Sequence, residues 1–255
     1  MASLPNMVRR IRGRYQRSLA RHFARRMVNV ALPRAVVSFT FDDFPRSAFY
    51  RGGQILSGHG FCGTYFTALG LMGRTTRTGQ IFLREDLEEL VRSRHEIGCH
   101  TFDHYHAWDT RPAEFEASIC RNRDQFAALL PGVELRNFSY PKSCPRPQTK
   151  RRTQKYYATA RGGGQTFNIG PTDLNQLQAF FLEQSRDRFE LIERVIDDNA
   201  RAKGWLILAT HDVADAPTRF GCTPDLFERV VGKVAQSGAE VLTIEQARLR
   251  IQPPA

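Results

Sequence analysis

A chain of 255 residues, 41% hydrophobic and 25% charged, is long enough to bury one large α/β core, and its composition excludes disordered and collagen-like classes. Its five cysteines, Cys62, Cys99, Cys120, Cys144 and Cys222, have no paired spacing, which argues against a disulfide framework and fits a reducing compartment. The net charge is +11, and no apolar run reaches the roughly 18 residues that a membrane-spanning helix needs.

The charge sits at the start. Residues 1–34 hold nine arginines and no acid, so the rest of the chain is nearly neutral. Met7, Ile11, Tyr15, Leu19, Phe23 and Met27 recur every four residues, which predicts a drifting apolar stripe on a helix over residues 7–28, with arginines around it. Gly13 weakens this helix without forbidding it. Residues 1–33 therefore read as a basic amphipathic arm and 34–255 as the main domain. Three readings of the arm stay open: a helix packed on the domain or on a second copy in a homodimer, a helix on an anionic membrane surface, and an organellar transit peptide. No apolar h-region marks a secretory signal, and no recognition motif accompanies the charge, so nucleic acid is not an expected partner.

Beyond the arm, strand-like and helix-like runs alternate. Val36 to Phe41 is too short for a helix and rich in Val, Phe and Thr; it reads as a buried strand, ended by Asp42, Asp43 and Pro45. A short helix over 46–58, a strand over 61–66, a loop over 67–80, a helix over 84–94 and a strand over 96–99 follow. A helix over 112–130 begins on Pro112, which suits a first turn. Then come a strand over 137–140, a Pro-rich loop, a strand over 156–160 and the run Gly162 to Gly164. Helices over 189–203 and 223–236 flank a buried strand at 205–210, and 241–244 reads as the last strand. This alternation predicts βα units around a parallel sheet. In a barrel of such units, function gathers at the C-terminal ends of the strands.

The outstanding polar residues all follow strand-like runs: Asp42 and Asp43, then His100 and His104, then His211. Adjacent buried carboxylates repel and lose hydration, so they need a partner, and a cation supplies one. Two histidines four apart plus one carboxylate make a three-ligand set with an open position, as hydrolytic zinc requires. The same set suits non-haem iron or another divalent ion. His95 and His106 compete for the same role. An Asp-rich turn or a satisfied loop histidine explains each motif singly; their convergence on strand ends favours a site.

In this order the motifs resemble those of the polysaccharide deacetylases, the NodB-homology domain of carbohydrate esterase family 4. Thr40-Phe41-Asp42-Asp43 is similar to the family's opening motif, and Gly63-Thr64-Tyr65-Phe66 to its second strand. Glu96-Ile97-Gly98-Cys99-His100-Thr101-Phe102-Asp103-His104 resembles its metal motif, and Leu206 to His211 its late strand ending in histidine. The resemblance covers residues 35–245. It implies a distorted (β/α) barrel of about seven βα units behind the N-terminal basic amphipathic helix. It also implies removal of N-acetyl groups from N-acetylglucosamine-type residues and one divalent metal, Zn2+ first, with Co2+, Ni2+ or Fe2+ as alternatives.

The resemblance assigns Asp43, His100 and His104 to the metal, Asp42 to the general base and His211 to the general acid. Ser139, in Phe138-Ser139-Tyr140-Pro141-Lys142, stands where the family often has an arginine; a subgroup reading F-[AS]-Y-P lacks it too. Arg161 is expected to supply that guanidinium, the alternative being a solvated loop arginine. Tyr140 and Lys142 are expected at the substrate and oxyanion position, with a backbone N–H near Lys142 as donor. Asp173 and Asp187 are candidates to orient His211.

Many members of that family are exported, but the absence of an evident export signal, the cysteine usage and the basic amphipathic arm point to a cytoplasmic protein, peripheral at the inner face of the cytoplasmic membrane. Its substrate there is an acetylated amino-sugar polymer or lipid-linked oligosaccharide in exopolysaccharide or holdfast biosynthesis. Competing readings are a catalytically silent carbohydrate-binding module on the same fold, a non-haem iron oxygenase and an arm-driven nucleic-acid binder. The second acid and His211 weigh against the oxygenase, and the near-neutral body against the last.

Overall fold

A computed structural model of the protein describes residues 4–252, with side chains from Ile11 onward. The chain opens with α1 (Leu4–His22) and β1 (Met27–Val30). The helix is shorter than its spacing predicts. Ala24 takes a left-handed φ of 52°, and Met27, expected at the end of the stripe, starts a strand. Tertiary pairing overrides the periodicity: Met27 to Val30 run antiparallel to residues 170–173. Ile11 and Tyr15 are 59% and 61% exposed, so the stripe faces outward at these two positions, while Leu19 is half-buried and Ala20 buried. Met7 lies outside the described side chains.

β2 (Val36–Phe41), apolar except for Ser38 and Thr40, is buried at every position, as suits a central parallel strand. A helical turn at 48–53 and α2 (Gln54–Gly58) lead to β3 (Thr64–Thr67). The expected loop over 67–80 contains a small hairpin, β4 (Thr75–Thr76) and β5 (Gly79–Gln80). Next come α3 (Arg84–Arg92), β6 (Glu96–Cys99), α4 (Pro112–Leu129) and β7 (Asn137–Ser139). The Pro-rich loop hides α5 (Pro147–Thr153), begun by Pro147, before β8 (Thr159–Arg161). β9 (Gly170–Asp173) is the partner of β1, and β10 (Phe180–Phe181) precedes α6 (Phe189–Ala202). β11 (Trp205–Thr210), α7 (Pro224–Gln236), β12 (Glu240–Val241) and α8 (Ile244–Ile251) close the chain.

The main sheet runs β10-β11-β2-β3-β6-β7-β8, all parallel. β12 pairs the first two residues of β2, and β3 pairs the last two. The result is a curled half-barrel of seven strands, the distorted barrel the motifs imply. β8 and β10 do not meet. Residues 174–177 cover the free edge of β8 instead, through Ala160 N–H to Leu174 O and Leu177 N–H to Ala160 O, both 2.8 Å. Helices flank the sheet, and Phe39, Phe41, Phe44, Tyr65 and Phe227 fill the core between them. Gly98 in β6 is a spatial requirement: a Cβ there would sit 2.5 Å from the Phe66 ring.

Candidate active site

Parallel strands place all their C-terminal ends on one rim, and the polar motifs sit there. Six non-glycine residues around this rim hold positive φ: Asp43, Phe44, Thr101, His104, Lys142 and Ser143, between 50° and 61°. Such conformations cost on the order of 1–3 kcal/mol each and persist where the surroundings over-determine them. For Thr101, a β-branched residue, the strain is offset in part by Tyr105 N–H, which donates to its hydroxyl at 3.1 Å.

Asp43, His100 and His104 converge: their ligand atoms all lie within 4.8 Å of one another. Asp43 Oδ1 is 3.6 Å from His100 Nε2 and 3.1 Å from His104 Nε2. The Thr78 hydroxyl donates to Asp43 Oδ2 at 3.1 Å, which turns Oδ1 toward the imidazoles. Oδ1 is buried without a hydrogen bond. His100 Nδ1 lies 2.8 Å from the Ser139 carbonyl, which fixes its proton there and leaves a lone pair on Nε2. The His100 Nε2 lone pair thus faces Asp43 Oδ1 in a buried spot, an arrangement that wants positive charge between them. Burial holds His100 down at about 4. Burial opposes charge on His104 too, but Asp43 outweighs it and raises that imidazole. Two nitrogens, one oxygen and an open side fit a divalent cation.

Asp42 is buried beside this set, with one carboxylate oxygen held by Arg161 and Ser139. Arg161 Nη2 donates to Asp42 Oδ1 and, at 2.6 Å, to Ser139 Oγ; Ser139 Oγ lies 3.1 Å from the same carboxylate oxygen. The guanidinium is clamped between the rings of Phe66 and Phe181, 5.3 and 5.2 Å from their centroids. Ser139 and Arg161 are register partners across β7 and β8, so the cation missing from one strand arrives from its neighbour. Burial pushes Asp42 upward, but Arg161, His100 and His211 together hold it below the usual carboxylate range.

His211 follows β11 and enters the same cleft, with Nδ1 3.2 Å from the Phe220 carbonyl. Asp212 shapes the loop that presents this carbonyl, accepting from Thr218 N–H and hydroxyl at 2.7 and 2.6 Å. Gly221 must be glycine, because a Cβ would lie 2.3 Å from the Asp212 carbonyl. Neither candidate acid orients His211. Asp173 is engaged by Lys150 at 2.6 Å and by Arg26 N–H at 2.8 Å, and Asp187 is exposed.

Asp42, Asp43, His100, His104, Lys142 and His211 line one cleft of about 1400 Å³. Tyr140 does not join them, which corrects its expected place at the substrate. Its ring is buried against Phe115 and Phe138, and its N–H already donates to the Arg161 carbonyl at 3.0 Å. His95 and His106 also stay out: His95 Nδ1 accepts from Gly63 N–H at 2.9 Å inside the core, and His106 pairs with Asp109 at 2.7 Å.

The family model for polysaccharide deacetylase matches residues 29–160, more than half of the sequence. The chain belongs to the polysaccharide deacetylase family. Known structures agree on the fold. A deacetylase solved with its substrate has 19% identity and a TM-score of 0.58, over 84% of this chain and 90% of that one. An acetyl xylan esterase of family 4 from Clostridium thermocellum, solved with a cobalt ion, has 19% identity and a TM-score of 0.55, over 83% and 89%. A family 4 pseudoenzyme from Bacillus anthracis has 13% identity and a TM-score of 0.58, over 86% and 66%. No curated protein matches in sequence.

For a polysaccharide deacetylase, several site residues here carry no sequence signal. Thr78 lies in a Thr-rich stretch that reads as loop. Glu183 follows Phe181 and Leu182 and reads as a surface acid, yet it lines the cleft with Oε2 buried and unpaired. Burial and the nearby Asp42 push its carboxyl up to about 8.

Proposed function

We propose that this polysaccharide deacetylase is a metal-dependent hydrolase that removes N-acetyl groups from N-acetylglucosamine-type residues of a polysaccharide or lipid-linked oligosaccharide, in exopolysaccharide or holdfast biosynthesis. The observation that carries the reading is the buried Asp43–His100–His104 set beside a separate, Arg161-bonded Asp42. Asp43, His100 and His104 would hold a divalent ion, which would supply Lewis acidity to the amide carbonyl and lower the pKa of water there. Zn2+ suits the donor set, and the cobalt ion in the Clostridium thermocellum esterase supports a divalent metal.

The chain's own groups do the rest. Arg161 and Ser139 both engage Asp42 Oδ1, which leaves Oδ2 without a protein hydrogen bond to take a proton from the attacking water. The water oxygen bonds to the acetyl carbon, and the carbon–nitrogen bond breaks. His211, held through Nδ1 by the Phe220 carbonyl, presents Nε2 to return a proton to the leaving amine. Lys142, in its left-handed conformation at the rim, is the oxyanion candidate that remains once Tyr140 is buried.

The test is acetate release from a panel of acetylated polymers and oligomers with metal-stripped and reloaded protein. D42N and H211A should keep the metal and lose rate by about 10²–10⁴. Sugar binding without acetate release from any substrate would favour the silent carbohydrate-binding reading; the Bacillus anthracis pseudoenzyme is an example of this fold without activity.

The exposed Ile11 and Tyr15 on α1, and five free cysteines, support a place at the cytoplasmic membrane face. I11S/Y15S should abolish flotation with anionic vesicles; unchanged flotation would reject that placement.

A further inference from the structure

One wall of the catalytic cleft comes from the N-terminal helix. Arg14, Arg17 and Arg21 of α1, with Arg25 just beyond it, line the same cavity as Asp43, His100 and His104. Spacings of three and four residues put the helical three on one face, over about 10 Å of helix length. Like charges at these spacings destabilise a helix, and α1 has no acid to relieve them. None of the four makes an ion pair among the described residues, whereas Arg12, outside the cleft, pairs with Asp109 at 3.5 Å.

The wall is fixed in place. Buried Lys150 donates to the Ala20 carbonyl at 2.7 Å, at the C-terminal end of α1, where a cation complements the helix dipole. Arg26 N–H to Asp173 and Asn175 Nδ2 to the Ala24 carbonyl, at 2.8 and 2.9 Å, hold the segment that follows. The four acids lining the cleft leave the arginines uncompensated: Asp42 is bonded to Arg161, Asp173 to Lys150, Asp43 faces the histidines, and Glu183 makes no ion pair with an arginine among the described residues. Lys142 and Arg219 add further cations, neither with a carboxylate partner among the described residues.

We propose that this arginine wall selects an acetamido glycan bearing acidic groups, phosphate, pyrophosphate or carboxylate, which dock on Arg14, Arg17, Arg21 and Arg25 while the acetamido group enters the Asp43–His100–His104 site. The proposal rests on the deacetylase reading for the second half of that statement only. Guanidinium groups suit it, because their planar fork binds phosphate and carboxylate oxygens in pairs. A neutral glycan would leave this row of like charges along one wall of the cleft with only water to bond.

The test is calorimetric binding of three probes to the full chain at low and high salt. They are a neutral N-acetylglucosamine tetramer, the same tetramer with a terminal phosphate, and an oligomer alternating N-acetylglucosamine with glucuronate. At least tenfold tighter binding of an acidic probe, shrinking as salt rises, is expected; the better acidic probe names the source of the anion. R14Q/R17Q/R21Q should bring the acidic-to-neutral ratio close to one, while R14K/R17K/R21K, which keeps the charge, retains most of it. Equal binding of neutral and acidic probes overturns the proposal. So does a glutamine variant that loses flotation with phosphatidylglycerol vesicles but keeps its preference for acidic glycans. Because binding is read without turnover, an intact acidic preference with no acetate release would overturn the deacetylase reading and leave the wall standing.

Discussion

The guanidinium of Arg161 bonds the carboxylate of Asp42 across 119 positions of sequence, and both side chains are almost wholly buried. A buried carboxylate stripped of its only cation is left uncompensated, which typically costs about 3–5 kcal/mol. R161A should therefore lose stability of that order and lower kcat by on the order of 10²-fold. Adding D42N should recover part of the lost stability, because the unpaired charge goes with it. Denaturant melts and kcat for the two single variants and the double variant decide it; equal losses in R161A and R161A/D42N would disprove the coupling.

Metal should stabilise the fold through Asp43, His100 and His104. A ligand at a hundred times its Kd adds about 2.7 kcal/mol, which for a domain of this size raises Tm by roughly 5–10 °C. Zn2+ titrated into stripped protein should give such a rise, and H104Q should lose most of it. The same rise in H104Q would place the ion elsewhere.

Glu183 should set the alkaline limb of the rate profile. Its carboxyl, held at about 8, is protonated at neutral pH and ionises above that value near Asp42. The wild-type rate should fall above pH 8, with E183Q matching it at pH 7 and staying flat beyond. Superimposable profiles would assign the limb to another group.

His95 should make stability fall in mild acid. Burial holds its imidazole at about 4, below the ordinary 6.5. Between those values the unfolded chain binds a proton that the fold refuses. Stability is complete above pH 6.5, declines as pH falls toward 4, and loses on the order of 3 kcal/mol from this group. Urea midpoints for wild type and H95Q from pH 7 to 4 should converge as the pH drops; parallel curves would show that His95 is not responsible.

Much of this was legible in the residues, and the failures have physical causes. β2 and β11 are apolar-rich runs buried at every position, β6 is buried from Ile97 to Cys99, and all three fall where the sequence places them. Asp42, Asp43, His100, His104 and His211 converge because a parallel sheet puts strand ends on one rim. α5 was hidden because its stretch is rich in Pro, Lys and Arg, and its buried Lys150 has no apolar signature. β1 and β9 were hidden because each is a half-exposed edge strand whose only strand partner is more than a hundred positions away. Arg161 could be suspected only from the charge that Ser139 lacks, and Tyr140 misled because its motif position is right while its ring is claimed by the core.

The register of Ser139 opposite Arg161 bears on how such proteins are traced through evolution. A cation that hops between neighbouring strands keeps its place in space while changing its place in the alphabet. A lineage that made such an exchange would look incomplete to a search that reads letters in order, and whole to one that compares positions across a sheet. A missing arginine on one strand therefore does not make a relative inert until the adjoining strand has been read as well.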